Sequence, residues 1–286
     1  MYDKDGKGIA NASSSRYKLY CIGCGPGDPM LLTLKALDVL NHCNVIFAPT
    51  SREGRESMAL NIVKPLIESR IKSREVEVKS LIFPMVKDKG RLADVWRGNA
   101  DEIAMVCLKG NLVAYLCVGD PSLYSTFTYI YRELSSRYPE IEVEIVPGIA
   151  SFTSFASQAK MNLVEGEQIM AIVPACYDLE RVRRIVSSCD TIVFLKDGRY
   201  FDDVIRIVRE HMPDYAYVAI AQDVGSEGQV INMTRLKDID TSKVSKYFSM
   251  LVVKREHQHK LQQQQHSNSN NNNSSDCRID VARDRE

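Results

Sequence analysis

Three short glycine-bearing segments could lay bare backbone against a small molecule. They are Gly23-Cys24-Gly25-Pro26-Gly27-Asp28-Pro29, Val118-Gly119-Asp120-Pro121-Ser122-Leu123-Tyr124-Ser125-Thr126 and Val146-Pro147-Gly148-Ile149-Ala150-Ser151. Glycine has no Cβ, so the chain can turn sharply there and approach a ligand closely. Two of the segments carry a carboxylate, Asp28 and Asp120. At such a position an aspartate can orient a hydroxyl or a cationic amine or take up a proton, and it can equally cap the next helix. The first segment is not the dinucleotide fingerprint, which needs glycine at position 28, where this chain has Asp. A tight strand-to-helix turn alone would explain any one of the three, but three in series argue for a common purpose.

The elements that must position these turns alternate. Residues 17–22 read as a strand before the first turn, and residues 29–43 as a helix after it, with Asp28 as cap and Pro29 at the first helical position. Residues 44–48 form the next strand, and 93–108 a helix ending near Gly110. Residues 112–118 are almost wholly apolar, as in a parallel strand buried on both faces. Further on, helices are expected at 126–137, 149–159, 179–186 and 202–211. Strands are expected at 142–146, 168–173, 191–195, 215–221, 229–233 and 248–253. Alternating strands and helices predict an α/β protein of βαβ units with mostly parallel sheets. So many strands suit two sheets and two domains, residues 17–140 and 141–256, behind a polar arm at 1–16. Residues 257–286 carry a Gln run and an Asn run with little to bury, which predicts disorder.

Composition narrows the class further. The 286-residue chain has 44% hydrophobic and 26% charged residues, enough for a sizeable core, and its 37 basic and 37 acidic residues cancel. Charge therefore points to neither nucleic acid nor an anionic membrane. No apolar run approaches the ~20 residues of a membrane span. Most of the cysteines lie in apolar stretches, where a thiol behaves as a small hydrophobe, and this predicts a reduced, cytoplasmic protein.

Taken in order and spacing, G-x-G-P-G-D, G-D-P and V-P-G-I followed by a small pair resemble the tetrapyrrole methylase family. The resemblance covers about residues 17–256. It implies two α/β domains with the active-site cleft between them, S-adenosyl-L-methionine bound in a bent form, and a homodimer. By position, Pro26 and Val118-Gly119-Asp120 would line the cofactor cleft, with Tyr124 heading the helix beside it and Ala150 and Ser151 as the small pair. Leu195, Lys196 and Ala219 fall where relatives contact adenine.

Within the family, Leu31-Leu32-Thr33-Leu34-Lys35-Ala36, Ser51-Arg52-Glu53-Gly54-Arg55-Glu56-Ser57-Met58-Ala59, residues 119–126 with Tyr124-Ser125-Thr126, Leu195-Lys196 and Tyr247-Phe248-Ser249-Met250 are similar to the members that methylate carbon 20 of precorrin-2 or of cobalt-factor II. Such a substrate bears many carboxylates, which makes Arg52 and Arg55 candidate clamps, the alternative being a solvated basic loop. Its meso carbon is already an enamine-like nucleophile, so Asp28 or Asp120 would orient groups or remove the leftover proton. Three alternatives stay open here: methylation at another ring position, a ligand-binding member without catalysis, and cobalt present or absent in the macrocycle. A dithiol role for Cys21-Ile22-Gly23-Cys24 is disfavoured because Gly25-Pro26-Gly27 follows where a redox motif would begin a helix. His257, His259 and His266 lie in or beside the polar tail, so metal binding by them is disfavoured too.

Overall fold

The computed structural model describes residues 16–85, 88–174, 178–195, 198–241 and 250–256. The arm at 1–15, the tail at 257–286 and Lys196 therefore lie outside the described residues.

The first sheet contains β1 (Tyr17–Gly23), β2 (Val45–Thr50), β3 (Glu77–Ile82), β4 (Leu112–Cys117) and β5 (Ile141–Val146), ordered β3-β2-β4-β1-β5. Every pairing in it is parallel. Alternation along β4 accounts for the layering. Val113, Tyr115 and Cys117 pack with α3 (Lys89–Cys107) and α4 (Phe127–Arg137) through Ile103, Ala104, Ile130 and Leu134. Ala114 and Leu116 face the other way, toward α1 (Leu34–His42) and α2 (Met58–Lys72) through Val39, Leu40, Val63 and Ile67. A strand covered on both faces must be apolar throughout, as its sequence is.

The expected helix over 29–43 is divided. A single 3-10 turn, Pro29–Leu31, takes its cap from Asp28, and α1 begins afresh after Thr33, whose hydroxyl accepts from the Ala36 amide at 3.2 Å. Two elements went unforeseen, α2 and β3. Pro65 sits inside α2 and obscures it. The edge strand β3 buries Leu81 alone, so its pattern carries little signal.

The expected domain boundary near residue 140 is displaced. β5 pairs residue by residue with β1, Tyr17 opposite Ile141 through Ile22 opposite Val146. It therefore closes the first sheet instead of opening the second. Among the described residues, the first compact unit holds those up to Met161 together with Ala221–Ile231, while the second holds those of Asn162–Ile220 and those from Asn232 onward. α5 (Ser151–Gln158) accordingly belongs to the first unit.

The second sheet contains β6 (Met170–Pro174), β7 (Thr191–Leu195), β8 (Tyr217–Gln222), β9 (Val230–Arg235) and β10 (Met250–Lys254), ordered β6-β7-β10-β8-β9. β6 and β7 are parallel, and β7 and β10 are antiparallel. Its core joins Ile192, Phe194, Val218 and Leu251 to Val182 and Val186 of α6 (Leu179–Ser188) and to Val204, Ile205 and Val208 of α7 (Phe201–His211). No described helix is long and apolar enough to cross a membrane.

Candidate active site

Because all five strands of the first sheet run the same way, the segments that follow them gather on one carboxyl edge, where open α/β sheets bind ligands. The three glycine segments follow neighbouring strands, β4, β1 and β5.

Their backbones interlock. The Cys24 amide donates to the Cys117 carbonyl at 2.8 Å, the Gly25 amide to the Gly119 carbonyl at 3.3 Å, and the Gly119 amide to the Gly25 carbonyl at 2.8 Å. The third turn lies against both. A Cβ on Gly148 would stand 2.3 Å from the Gly119 carbonyl oxygen, and one on Gly23 would stand 2.5 Å from the Gly148 nitrogen. No side chain fits at either position. Gly27 is crossed in the same way by Gly225, whose carbonyl carbon would lie 2.7 Å from a Gly27 Cβ. This contact lies within the first unit, which includes Ala221–Ile231.

Gly119 is glycine for another reason. Its φ is +72°, and an added Cβ would meet nothing within 4 Å. The left-handed backbone strains a β-branched residue, while the open space beside it leaves room for a ligand. Val118, just past β4, is exposed although every residue of that strand from Val113 to Cys117 is buried. Tyr124, half-exposed, holds a positive φ of 51° on the same segment.

Asp120 ties these turns together. One carboxylate oxygen accepts from the Gly148 amide at 2.9 Å, and the other accepts from the Ser122 amide at 2.8 Å and from the Ser122 hydroxyl. Burial pushes its carboxyl upward, but the bonds from Ser122 and Gly148 outweigh it and hold the group below its usual 3.8. Asp28 caps the 3-10 turn through a 2.8 Å bond from the Met30 amide. Ala150 stands at the N-cap of α5 and supplies no side-chain acceptor, with Ser151 the first helical residue.

Arg52 and Arg55 are exposed on the segment after β2, which neighbours β4. One edge of the first unit thus brings together Pro26, Asp28, Arg52, Arg55, Val118, Gly119, Asp120, Tyr124, Ala150 and Ser151. Leu195 ends β7 and Ala219 lies fully buried in β8, both in the second unit.

Cys21, Cys24 and Cys117 are buried free thiols, with Cys21 Sγ 3.6 Å from Cys117 Sγ. Cys21 is in register with Tyr115 and not with Cys117. No group of His, Cys, Asp or Glu among the described residues is arranged to hold a metal ion.

Sequence reading missed Ser122, the Gly27–Gly225 crossing and Thr50, whose hydroxyl donates to the carbonyls of Arg52 and Arg55. Gly225 falls in a strand-to-strand connection far along the chain, and a lone threonine at a strand end gives no signal.

This two-sheet fold recurs in solved methyltransferases. A cobalt precorrin-4 methyltransferase, CbiF, superposes with a TM-score of 0.63 at 20% identity, covering 86% of this chain and 98% of that one. The uroporphyrin-III C-methyltransferase of Thermus thermophilus, complexed with S-adenosyl homocysteine, gives 0.57 at 18% identity over 84% and 97%. In sequence, a probable cobalt-precorrin-2 C(20)-methyltransferase of Methanocaldococcus jannaschii is 33% identical over 83% of this chain and 96% of its own length. The cobalt-precorrin-2 C(20)-methyltransferase of Salmonella typhimurium is 26% identical over 85% and 98%. The precorrin-2 C(20)-methyltransferase of a Sinorhizobium species is 27% identical over 76% and 93%. Residues 18–240 match the model of the tetrapyrrole (corrin/porphyrin) methylases, and the chain belongs to that family.

Proposed function

We propose that this enzyme transfers a methyl group from S-adenosyl-L-methionine to carbon 20 of precorrin-2 or cobalt-factor II in cobalamin biosynthesis. The observation that carries the reading is the open space beside Gly119, at the centre of three interlocked turns on the carboxyl edge of the first sheet. The names of the three C(20)-methyltransferase relatives, each matched over most of its length, support the ring position.

The residues present suit the cofactor. We take the backbone at Gly119, the apolar Val118 and the small Ala150 and Ser151 as the cofactor-facing groups, because a Cβ at 119 would enter open space on the edge that all four share. Pro26 and Tyr124 lie on turns of the same edge, and Leu195, Lys196 and Ala219 are adenine contacts only by the family resemblance. S-adenosylmethionine supplies a methyl already activated on sulfonium. The protein's part is then to align donor and nucleophile and to keep water out. Asp120, with three donors on its carboxylate, orients the turns that shape this space, and Asp28 shapes the first of them. With its acceptor capacity turned to the turns, Asp120 suits a positioning role better than a proton-removing one. The electron-rich meso carbon needs no strong base. Arg52 and Arg55 meet substrate carboxylates.

The same reading has the enzyme working as a homodimer in the cytoplasm. Met30 and Leu34, at 82% and 86% exposure, are apolar groups that a partner could cover, and the six described cysteines are free thiols, as a reducing compartment would keep them. Sedimentation tests the dimer. Incubation with labelled S-adenosylmethionine and either metal-free or cobalt-loaded substrate tests the reaction and identifies the accepted macrocycle.

A further inference from the structure

β2 ends at Thr50, a buried threonine. That hydroxyl lies 3.2 Å from the Arg52 carbonyl and 2.9 Å from the Arg55 carbonyl. The Arg55 amide in turn donates to the Arg52 carbonyl at 3.3 Å. Residues 52–55 thus close a β-turn with Gly54 at its third position, where φ is +72° and an added Cβ would meet open space. A positive φ at that position is the type II requirement.

This turn sets the two arginines at its first and fourth positions, with Cα atoms within about 7 Å of each other. Both are exposed, and like charges so close repel unless an anion lies between them. Among the described residues neither arginine is ion-paired to a carboxylate. Glu56 accepts from the Asn61 side chain at 3.2 Å, Arg55 donates to the Ser51 hydroxyl at 3.2 Å, and Glu53 is exposed. The segment is fixed at both ends, by Thr50 on one side and by Ser57, buried as the cap of α2, on the other. A rigid turn presenting two guanidiniums is a receptor for carboxylate oxygens.

We propose that Thr50 is a positioning residue for substrate recognition: its hydroxyl holds the Arg52–Arg55 turn closed, so that the two guanidiniums engage carboxylates of the macrocycle together. This rests on the methyltransferase reading above and assigns the carboxylate-binding end of that site.

The test uses the full chain and three variants, with methyl transfer to precorrin-2 and to cobalt-factor II measured at steady state and S-adenosylhomocysteine affinity by calorimetry. Thr50→Val keeps the shape and loses the hydroxyl. It should raise KM for the tetrapyrrole about tenfold, the equivalent of one modest interaction, with kcat and S-adenosylhomocysteine affinity near wild type. Thr50→Ser keeps the hydroxyl and should behave as wild type. Gly54→Val strains the same turn from its exposed side, away from the core, and should reproduce the KM defect even if Thr50→Val folds poorly. An unchanged KM in Gly54→Val or in folded Thr50→Val, or a parallel loss of S-adenosylhomocysteine affinity, overturns the proposal. Wild-type protein that neither binds S-adenosylhomocysteine nor methylates either macrocycle would instead remove the functional reading beneath it.

Discussion

The carboxylate of Asp120 accepts from the backbone amide of Gly148 at 2.9 Å, which bolts the turn after β4 to the turn after β5. A glycine is required at 148 because any side chain would strike the Gly119 carbonyl. The aspartate is thereby explained as the polar partner of an amide that no strand or helix satisfies.

Asp120→Asn should weaken this joint, since an amide cannot accept on both sides. One of the three bonds must be lost, at a cost of about 1 kcal/mol. Its signature is pH dependence. A carboxylate held below its usual 3.8 contributes stability that is present above about pH 4 and fades as pH falls through the lower folded value. Thermal melts from pH 7 to pH 2.5 should show a shallower acid decline in Asp120→Asn than in wild type. Equal slopes would mean that Asp120 does not act through its charge.

Gly148→Ala and Gly23→Ala should each destabilise by about 3 kcal/mol, since backbone and not a flexible side chain stands in the way. Both substitutions press on the same Gly23–Gly148 contact. In denaturant titrations the double variant should therefore lose clearly less than the two single losses combined. Simple additivity would place the strain elsewhere.

At Gly119 two effects separate. Alanine and valine both meet a left-handed backbone, and valine the more severely, so stability should fall by about 1 kcal/mol for alanine and more for valine. Either Cβ enters the space assigned to the cofactor. S-adenosylhomocysteine affinity, measured where each variant is still folded, should fall about tenfold or more for Gly119→Val. A folded Gly119→Val with wild-type affinity would move the binding space elsewhere.

Replacing Arg52 and Arg55 together by alanine should leave the melting temperature within a degree or two, because both side chains are exposed. The KM for the tetrapyrrole should rise and become less sensitive to salt, as screening has fewer charges to act on. A KM unchanged at low salt would return the pair to an ordinary solvated loop.

Much of this was legible in the chain. The apolar run over 112–118 announced a strand buried on two faces, and the glycine segments marked the carboxyl edge, because local turn chemistry is written in a few residues. The edge strand β3 was not legible, since one buried leucine makes no period. Helix α2 was hidden by Pro65. The unit boundary was misplaced because β5 follows a long helix yet returns to pair with β1, a choice made by tertiary pairing and not by local pattern. The interlock of Gly23, Gly119 and Gly148 is likewise a meeting of backbones from three distant segments. The sequence could name its members but not their contact.

Methyl transfer from S-adenosylmethionine to carbon 20 can be measured directly. Purified full-length protein would be incubated with methyl-labelled S-adenosylmethionine and with precorrin-2 or cobalt-factor II, and the product examined by mass spectrometry and carbon NMR. A single added methyl at carbon 20 of one or both macrocycles is the expected result. A methyl at another ring position would contradict the assigned regiochemistry. No transfer, together with no calorimetric binding of S-adenosylhomocysteine at millimolar concentration, would contradict the account as a whole.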